Sequence, residues 1–183
     1  MLDRRLPELE EAFADDSPED VDHIREQISD IRDRLRAFDR DRLRSLLLPR
    51  QPRLHFRDER DNRKHKIIGT VLELDIRADI YVADLANGVV DARRRCLTAL
   101  TIHALTQDIR QIVIERDDGM VHHDKRTIAA AIRSGAPADP FEYRWERAHD
   151  EPLLWIPDAL AWCWAARSNW QADIRPIVTL HQV

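Results

Sequence analysis

The chain has 183 residues, of which 43% are hydrophobic and 34% charged, and its formal net charge is −5. This composition excludes a disordered or collagen-like chain, and the length is typical of one domain with its own core. No apolar stretch is long enough to cross a bilayer, and the acidic N-terminus lacks the apolar segment of a secretion signal. We therefore expect a cytoplasmic protein without membrane contact. Cys96 and Cys163 match no metal or redox spacing.

Charge is distributed unevenly along the chain. Residues 1–24 carry two basic and nine acidic side chains, whereas residues 25–66 carry fourteen basic and eight acidic ones. A basic segment of this kind predicts nucleic-acid binding through the phosphate backbone. The acids interleaved with its arginines favour the alternative, in which these charges pair within the protein or face solvent.

The first predicted element is an amphipathic helix that begins with Ser17, a favourable N-cap, and Pro18, a favourable first helical residue. Its apolar residues recur at spacings of 3, 4, 3, 4 and 3: Val21, Ile24, Ile28, Ile31, Leu35 and Phe38. The pattern ends before Pro49 and covers about two and a half heptads. This stripe is predicted to pack on the protein's own sheet, and pairing with a second copy is the alternative.

Strands and helices alternate after this helix. Residues 52–58 are predicted as a short strand or extended entry, and strands are predicted at residues 75–84, 109–115 and 141–147. The predicted helices cover residues 63–74, 89–106 and 124–133, and a last helix begins at Pro157. Such alternation predicts a parallel sheet with helical crossovers, an α/β fold whose ligands bind at the carboxyl ends of the strands. We assign residues 1–49 to an N-terminal helical arm, with residues 1–16 as a short acidic helix or frayed arm, and residues 50–183 to the α/β domain.

Common catalytic signatures are missing from the sequence. The chain has four glycines and no glycine-rich phosphate loop, and it has no serine-centred nucleophile motif. His122, His123 and Asp124 are candidate metal ligands, but Asp124 also suits the N-cap of a helix that begins at Lys125, which we favour. His103 lies among apolar helix residues and is predicted to be a hydrogen-bonded core histidine.

Four dispersed acids remain as candidates for a catalytic site: Asp58, Glu59, Glu115 and Asp158. Acids at strand ends and at a facing helix N-terminus can converge on Mg²⁺ or Mn²⁺, which drive phosphodiester hydrolysis. We predict Asp158, Glu115 and Asp58 as the metal ligands. Asp158 follows Pro157 at a helix start, so a favourable interaction with the helix dipole is the alternative role for its charge.

Three stretches of the sequence carry a resemblance to known proteins. They are RLHFRDERDNRKHKI, the region from RRRCLTAL through LTQDIRQIVIERDD to DKRTI, and EPLLWIPDALAW. Over residues 50–170 they resemble an uncharacterised bacterial family with a ribonuclease-H-like fold. The resemblance implies a helix-covered sheet and a metal-dependent nuclease site, with acids from the first strand, a later strand and the last helix. The later-strand acid corresponds to Glu115 and the last-helix acid to Asp158, whereas Asp58, Glu59 and His55 are expected near the cleft.

Members of that family usually open with an Asp-Glu-Ser-Gly strand, which is absent from this sequence. The opening hairpin and its metal-bridging acid therefore have no counterpart here: Asp58 or Glu59 replaces that acid, a partner supplies it, or the site is inactive. The sequence thus predicts a ribonuclease-H-like nuclease, active or degenerate; if it is active, residues 25–66 are expected to hold the nucleic-acid backbone. The alternative is a non-catalytic homodimeric binding protein that uses the long helix and an exposed sheet edge.

Overall fold

The computed structural model describes residues 18–107, 109–137, 140–166 and 168–183, with side chains from residue 29 onwards except those of residues 31 and 32. Its elements in chain order are α1 (Pro18–Arg44), α2 (Asp61–Leu72), β1 (Ala78–Val82), α3 (Val89–Thr106), β2 (Gln111–Glu115), α4 (Val121–Gly135), β3 (Glu142–Glu146), α5 (Trp155–Ala165), α6 (Asn169–Ile174) and β4 (Val178–Gln182). Short 3₁₀ turns cover Phe56–Asp58, Pro152–Leu154 and Arg175–Ile177. The fold is mixed α/β with short parallel strands, as the alternating pattern predicts.

Helix α1 is fixed to the rest of the molecule at its C-terminal end. Leu43 and Leu46 are buried in the core. The Arg40 guanidinium donates hydrogen bonds to both carboxylate oxygens of Glu151, with Nη2 2.8 Å from Oε2. Upstream of this anchor, every described side chain between residues 29 and 38 is exposed. The end of the predicted arm therefore belongs to the core, whereas the part before it faces solvent.

Two pairs of parallel strands provide the β structure. β1 pairs with β4, with Ala78 opposite Val178, and β2 pairs with β3, with Gln111 opposite Glu142. Among the described residues no ladder of hydrogen bonds joins one pair to the other. Parallel strands cannot be joined by a tight hairpin, and α4 supplies the crossover between β2 and β3.

The strands are less buried than those of an ordinary parallel sheet. Parallel sheets are normally covered by helices on both faces. In the four strands described here, each side chain is half-buried or exposed, and Leu180 keeps 40% of its surface accessible. The polar side chains on these strands are therefore within reach of solvent.

The main core lies between helices rather than on the sheet. It contains the end of α1, the turn at residues 54–56, α2 and α5: Leu43, Leu46, Leu54, Phe56, Ile67, Ile68, Val71, Leu74, Ala148, Trp155, Ile156, Ala159, Leu160, Cys163 and Ile174. Phe56 packs edge-to-face against Trp162 and Trp170. The buried Lys64 ammonium lies 4.4 Å from the Trp162 ring centroid, a cation–π contact between α2 and α5. Trp155 is buried in this core, and Trp162, Trp164 and Trp170 are partly buried against it.

A second packed region is formed by α3 and α4. Asp124 is 1% exposed and accepts hydrogen bonds from Arg93 at 2.9 and 2.7 Å. Gly135 lies so close to α3 that a Cβ atom there would come within 2.6 Å of the Leu105 side chain. This ion pair and this close approach hold the two helices together.

Two predicted elements differ from the structure. Residues 52–58 are predicted as a short strand or extended entry, but Phe56–Asp58 is a 3₁₀ turn, and both Phe56 and Leu54, which precedes the turn, are buried in the core. Helix α4 starts before the predicted N-cap Asp124, because the Asp117 carbonyl oxygen accepts hydrogen bonds from the backbone N–H groups of the helix start at residues 120–121. Asp124 lies inside the first turn.

The sequence analysis predicts that the α/β domain lacks the opening hairpin of the ribonuclease-H-like family. Within the described residues the first strand is β1, and α1 and α2 precede it. The predicted short helix or arm at residues 1–16 lies outside the described residues. None of the helices described is long and apolar enough to span a membrane.

Candidate metal centre

One face of the β1–β4 pair carries a group of polar and aromatic side chains. Asp79 and Tyr81 are two residues apart on β1 and therefore point to the same face. Tyr81 is opposite His181 of β4 in the parallel register, which places that histidine beside them. Helix α3 packs against β1 and contributes His103. We call Asp79, His103 and His181 the Asp-His-His cluster.

The ligand atoms of the Asp-His-His cluster surround a small space. Asp79 Oδ1 is 2.7 Å from His181 Nε2 and 4.0 Å from His103 Nδ1. All three atoms lie within 4.8 Å of one another. A carboxylate and two imidazoles at these distances could together hold one metal ion. The side chains of Asp79, His103 and His181 are 39%, 31% and 30% exposed, so an ion can reach them from solvent.

Tyr81 completes the surroundings of the Asp-His-His cluster. Its ring stacks on His181 with centroids 4.7 Å apart and an interplanar angle of 15°. Its hydroxyl group lies 2.5 Å from His103 Nδ1. Burial and the negative charge of Asp79 raise the pKa of Tyr81 to about 12, so the phenol remains protonated at neutral pH. A phenol that donates to Nδ1 uses the same nitrogen lone pair that a metal ion needs, so the Tyr81 hydroxyl group has to turn away from Nδ1 when an ion binds there.

Two of the distances between cluster atoms are close to those that a coordinated ion requires. Tetrahedral bonds of about 2.1 Å to nitrogen and oxygen keep neighbouring ligand atoms about 3.4 Å apart. The 2.7 Å distance between Asp79 and His181 has to open, and the 4.0 Å distance between Asp79 and His103 has to close. Each change is smaller than an ångström and is within the range of side-chain rotation.

Asp158, the predicted last-helix ligand, lies elsewhere. It is exposed in the first turn of α5, and its Oδ2 atom accepts a hydrogen bond of 3.4 Å from the Phe56 backbone N–H. Asp158 therefore contacts the turn at Phe56–Asp58, which carries the predicted ligand Asp58. The Asp58 side chain is exposed.

The other two predicted acids form ion pairs with arginines. Glu59 accepts hydrogen bonds from Arg63 at 2.6 Å and from Gln51 at 2.7 Å. Burial alone raises the pKa of Glu59, but these hydrogen bonds and the charge of Arg63 outweigh it, so the pKa lies below its ordinary value. Glu115, at the carboxyl end of β2, pairs with Arg53 at 3.2 Å. Across the described part of the chain, the four predicted acids do not bring three ligand atoms together as the Asp-His-His cluster does.

Three of the residues predicted near the cleft do line a groove. Asp58, Glu59 and His55 are on the wall of a groove of about 750 Å³, together with Leu48, Gln51, Pro52, Arg53, Arg60, Asn62 and Arg63. Glu115 and Asp158 each contact this segment, through hydrogen bonds from Arg53 and from the Phe56 backbone respectively. The predicted acids therefore share one neighbourhood, although their oxygens point to different partners.

Most described arginines of residues 25–66 pair with carboxylates. Such pairs join Arg34 to Asp30, Arg36 to Asp33, Arg40 to Glu151, Arg42 to Glu73, Arg44 to Asp41, Arg53 to Glu115 and Arg63 to Glu59. This pattern favours the alternative in which the segment's charges are balanced within the protein. Nucleic-acid binding through it stays a prediction.

The Asp-His-His cluster was not predicted from the sequence. His103 is expected there as a core histidine, and in the structure it is half-buried with its Nδ1 atom beside Tyr81. His181 lies in β4, which is not among the predicted strands. The alternation of Asp79 and Tyr81 with apolar residues is the one signal that marks this face as polar.

Comparison with known proteins gave no match, whether with family models, with curated proteins or with solved structures. The resemblance to a ribonuclease-H-like family therefore stays a prediction based on the sequence motifs.

Proposed function

We propose that this chain is a metal-binding protein that holds one divalent transition-metal ion with Asp79, His103 and His181. The observation that carries this proposal is the convergence of one carboxylate oxygen and two imidazole nitrogens within 4.8 Å. These residues come from positions far apart in the sequence and from three different elements, so the cluster is a product of the tertiary fold.

The donor atoms favour some ions over others. Mg²⁺ prefers oxygen ligands, whereas imidazole suits Fe²⁺, Ni²⁺, Cu²⁺ or Zn²⁺. Of the two ions predicted from the sequence, Mn²⁺ is the transition-metal ion and accepts nitrogen ligands more readily than Mg²⁺ does, although both favour oxygen. Three protein ligands leave further coordination positions for water or a substrate, the arrangement that catalytic metal sites share.

The alternative is a structural hydrogen-bond network without metal. Asp79 bonds to His181, and Tyr81 bonds to His103, so these groups also satisfy each other. A network of this kind predicts no binding of metal ions beyond the weak affinity of surface histidines. Metal binding therefore separates the two interpretations.

The test is calorimetric titration of tag-free protein with Mn²⁺ and Co²⁺, together with the visible absorption of bound Co²⁺. We expect one site, lost in Asp79→Asn and retained in Asp158→Asn. Both changes replace a carboxylate by an amide of the same size, so each serves as the matched control of the other. Binding lost in Asp158→Asn alone assigns the metal to the predicted acids instead, and no binding by the wild type overturns the proposal.

Metal-dependent phosphodiester hydrolysis at the predicted acids is a second candidate function. It is supported by the groove at residues 48–63, around which Asp58, Glu59, Glu115 and Asp158 lie, and by the resemblance to ribonuclease-H-like proteins. Asp58 and Asp158 would supply carboxylate oxygens to Mg²⁺ or Mn²⁺, and the groove arginines would face the phosphate backbone. Cleavage of labelled single- and double-stranded oligonucleotides by wild type, but not by Asp158→Asn, is the expected result. Equal rates for both proteins would eliminate this function.

A further inference from the structure

The exposed part of helix α1 presents an apolar stripe that the rest of the molecule does not cover. Leu35 and Phe38 are 46% and 60% exposed. In the sequence they continue the heptad spacing that begins at Val21, with Leu35 at an a position and Phe38 at a d position. The stripe is therefore an unpaired seam of the kind that coiled coils bury.

The residues that anchor α1 lie on the other side of the helix from this seam. Arg40 and Leu43 occupy f and b positions in the same heptad numbering, and they contact Glu151 and the core. Anchoring the helix by its outer face leaves Leu35 and Phe38, the described a and d residues before the anchor, exposed for a partner. Residues 18–38 offer about 30 Å of helix at 1.5 Å per residue.

We infer that two copies of this chain associate through a parallel coiled coil of their α1 helices. The flanking charges of the sequence favour a second copy in parallel orientation. In a parallel pair each g position faces the e position five residues further along the partner helix. Asp20 would then face Arg25 of the second copy, and Arg34 would face Asp39.

The antiparallel orientation is less favourable for the same sequence. It brings e positions together, so that Arg25 would meet Arg32 of the second copy. Like charges that face each other across the two helices repel. In the parallel pair, the pairs Asp20–Arg25 and Arg34–Asp39 each occur twice by symmetry, which gives four pairs of opposite charge. The Arg34 side chain is held by Asp30 of its own helix at 2.8 Å, and both groups are exposed, so Arg34 can turn to a new partner.

The test measures the oligomeric state of the full chain by size-exclusion chromatography with light scattering, over a range of concentrations. We expect twice the mass of one chain for wild type and a single-chain mass for Phe38→Asp. Leu85→Asp is the matched control, because Leu85 is 64% exposed and lies outside α1. A monomeric wild type, or loss of the dimer in Leu85→Asp with retention in Phe38→Asp, overturns the inference. Leu35→Asp is a second variant of the same stripe and should also have a single-chain mass. Circular dichroism of each variant shows whether it is folded, so that loss of the dimer is not mistaken for a folding defect.

A cysteine substitution tests the orientation. Leu35→Cys places two thiols at the same level of a parallel pair, whereas an antiparallel pair separates them by about 16 Å of helix, at 1.5 Å for each of eleven residues. Under mild oxidation we expect a disulfide-linked dimer in Leu35→Cys and not in wild type, which controls for the natural cysteines. A dimer that does not cross-link contradicts the parallel arrangement.

Discussion

The Asp-His-His cluster and the four predicted acids differ in the groups that surround their carboxylates. Asp79 has two imidazoles and a phenol as neighbours. Glu59 and Glu115 each pair with an arginine, and Asp158 accepts a backbone N–H. The predicted acids are more numerous, but arginines occupy two of their carboxylates. The number of acids in a region is therefore a weaker sign of a metal site than the groups that neighbour each acid.

The physical reason is competition for the carboxylate. An arginine cannot be deprotonated in a protein, so it remains a fixed positive charge that a metal ion must displace. A neutral imidazole is both a weaker competitor and a ligand in its own right.

The largest expected effect on stability is that of Asp124, the most buried of the paired acids compared here. Asp124→Asn should destabilise the protein by about 2 kcal/mol, because the buried carboxylate loses its charge-assisted hydrogen bonds from Arg93. Urea denaturation at pH 7 measures this change, and Asp118→Asn, an exposed acid on the adjoining loop, is the control. A loss of less than 1 kcal/mol, on the order of a surface pair, would contradict the structural role.

The second largest effect is expected from removing one ligand of the Asp-His-His cluster. We expect His181→Ala to lower the affinity for Mn²⁺ by about 100-fold or more, because loss of a direct ligand costs at least as much as loss of an outer-shell partner. His122→Ala is the control, since His122 is an exposed histidine outside the cluster. Equal affinities of the two variants would show that the measured ion binds elsewhere.

Glu59→Gln should affect stability and leave metal affinity unchanged. Loss of the charge-assisted hydrogen bond from Arg63 should cost about 1–2 kcal/mol at pH 7. The pKa of Glu59 is lower in the folded than in the unfolded protein, so its stabilisation is complete above about pH 4.3, the unfolded pKa. That stabilisation is lost as the pH falls through the folded pKa. Chemical denaturation between about pH 3 and 7, a range that spans the unfolded pKa, measures the free energy of unfolding of both proteins. The difference between wild type and Glu59→Gln should become smaller towards acid pH.

Asp158→Asn should have the smallest effect on stability. Its carboxylate is exposed and makes a hydrogen bond of 3.4 Å, and an acid in the first helical turn stabilises by less than about 1 kcal/mol. Thermal unfolding of this variant beside wild type measures the difference. A destabilisation as large as that of Asp124→Asn would show that Asp158 holds the Phe56–Asp58 turn in place.

The sequence predicted local structure better than it predicted the site. Helix α3 has the predicted bounds, residues 89–106, because its start follows a turn with Gly88 at φ 86°, a conformation that favours glycine. Strand β1 lies inside its predicted range because Ile80 and Val82 alternate with Asp79 and Tyr81. Such signals depend on neighbouring residues only, so they are readable in the sequence.

The Asp-His-His cluster depends on pairing across the chain. His181 comes close to Asp79 because β4 pairs with β1 in a register that a single sequence does not reveal. The run Ile177, Val178 and Thr179 after Pro176 is rich in β-branched residues and could have indicated β4. The short strand or extended entry predicted at residues 52–58 shows the opposite error, since burial in a helical core decided the conformation of Phe56 there.

The positions of the tryptophans have an optical consequence. Trp155, Trp162, Trp164 and Trp170 lie in or against the main core, whereas Trp145 is on β3 with the Lys125 ammonium 5.4 Å from its ring centroid. In Trp145→Phe, the remaining tryptophan fluorescence would report on the helical core alone. The difference between the emission of wild type and that of this variant would report on the β2–β3 pair. The intrinsic emission of this protein can thus follow the unfolding of its two regions separately, without an added label.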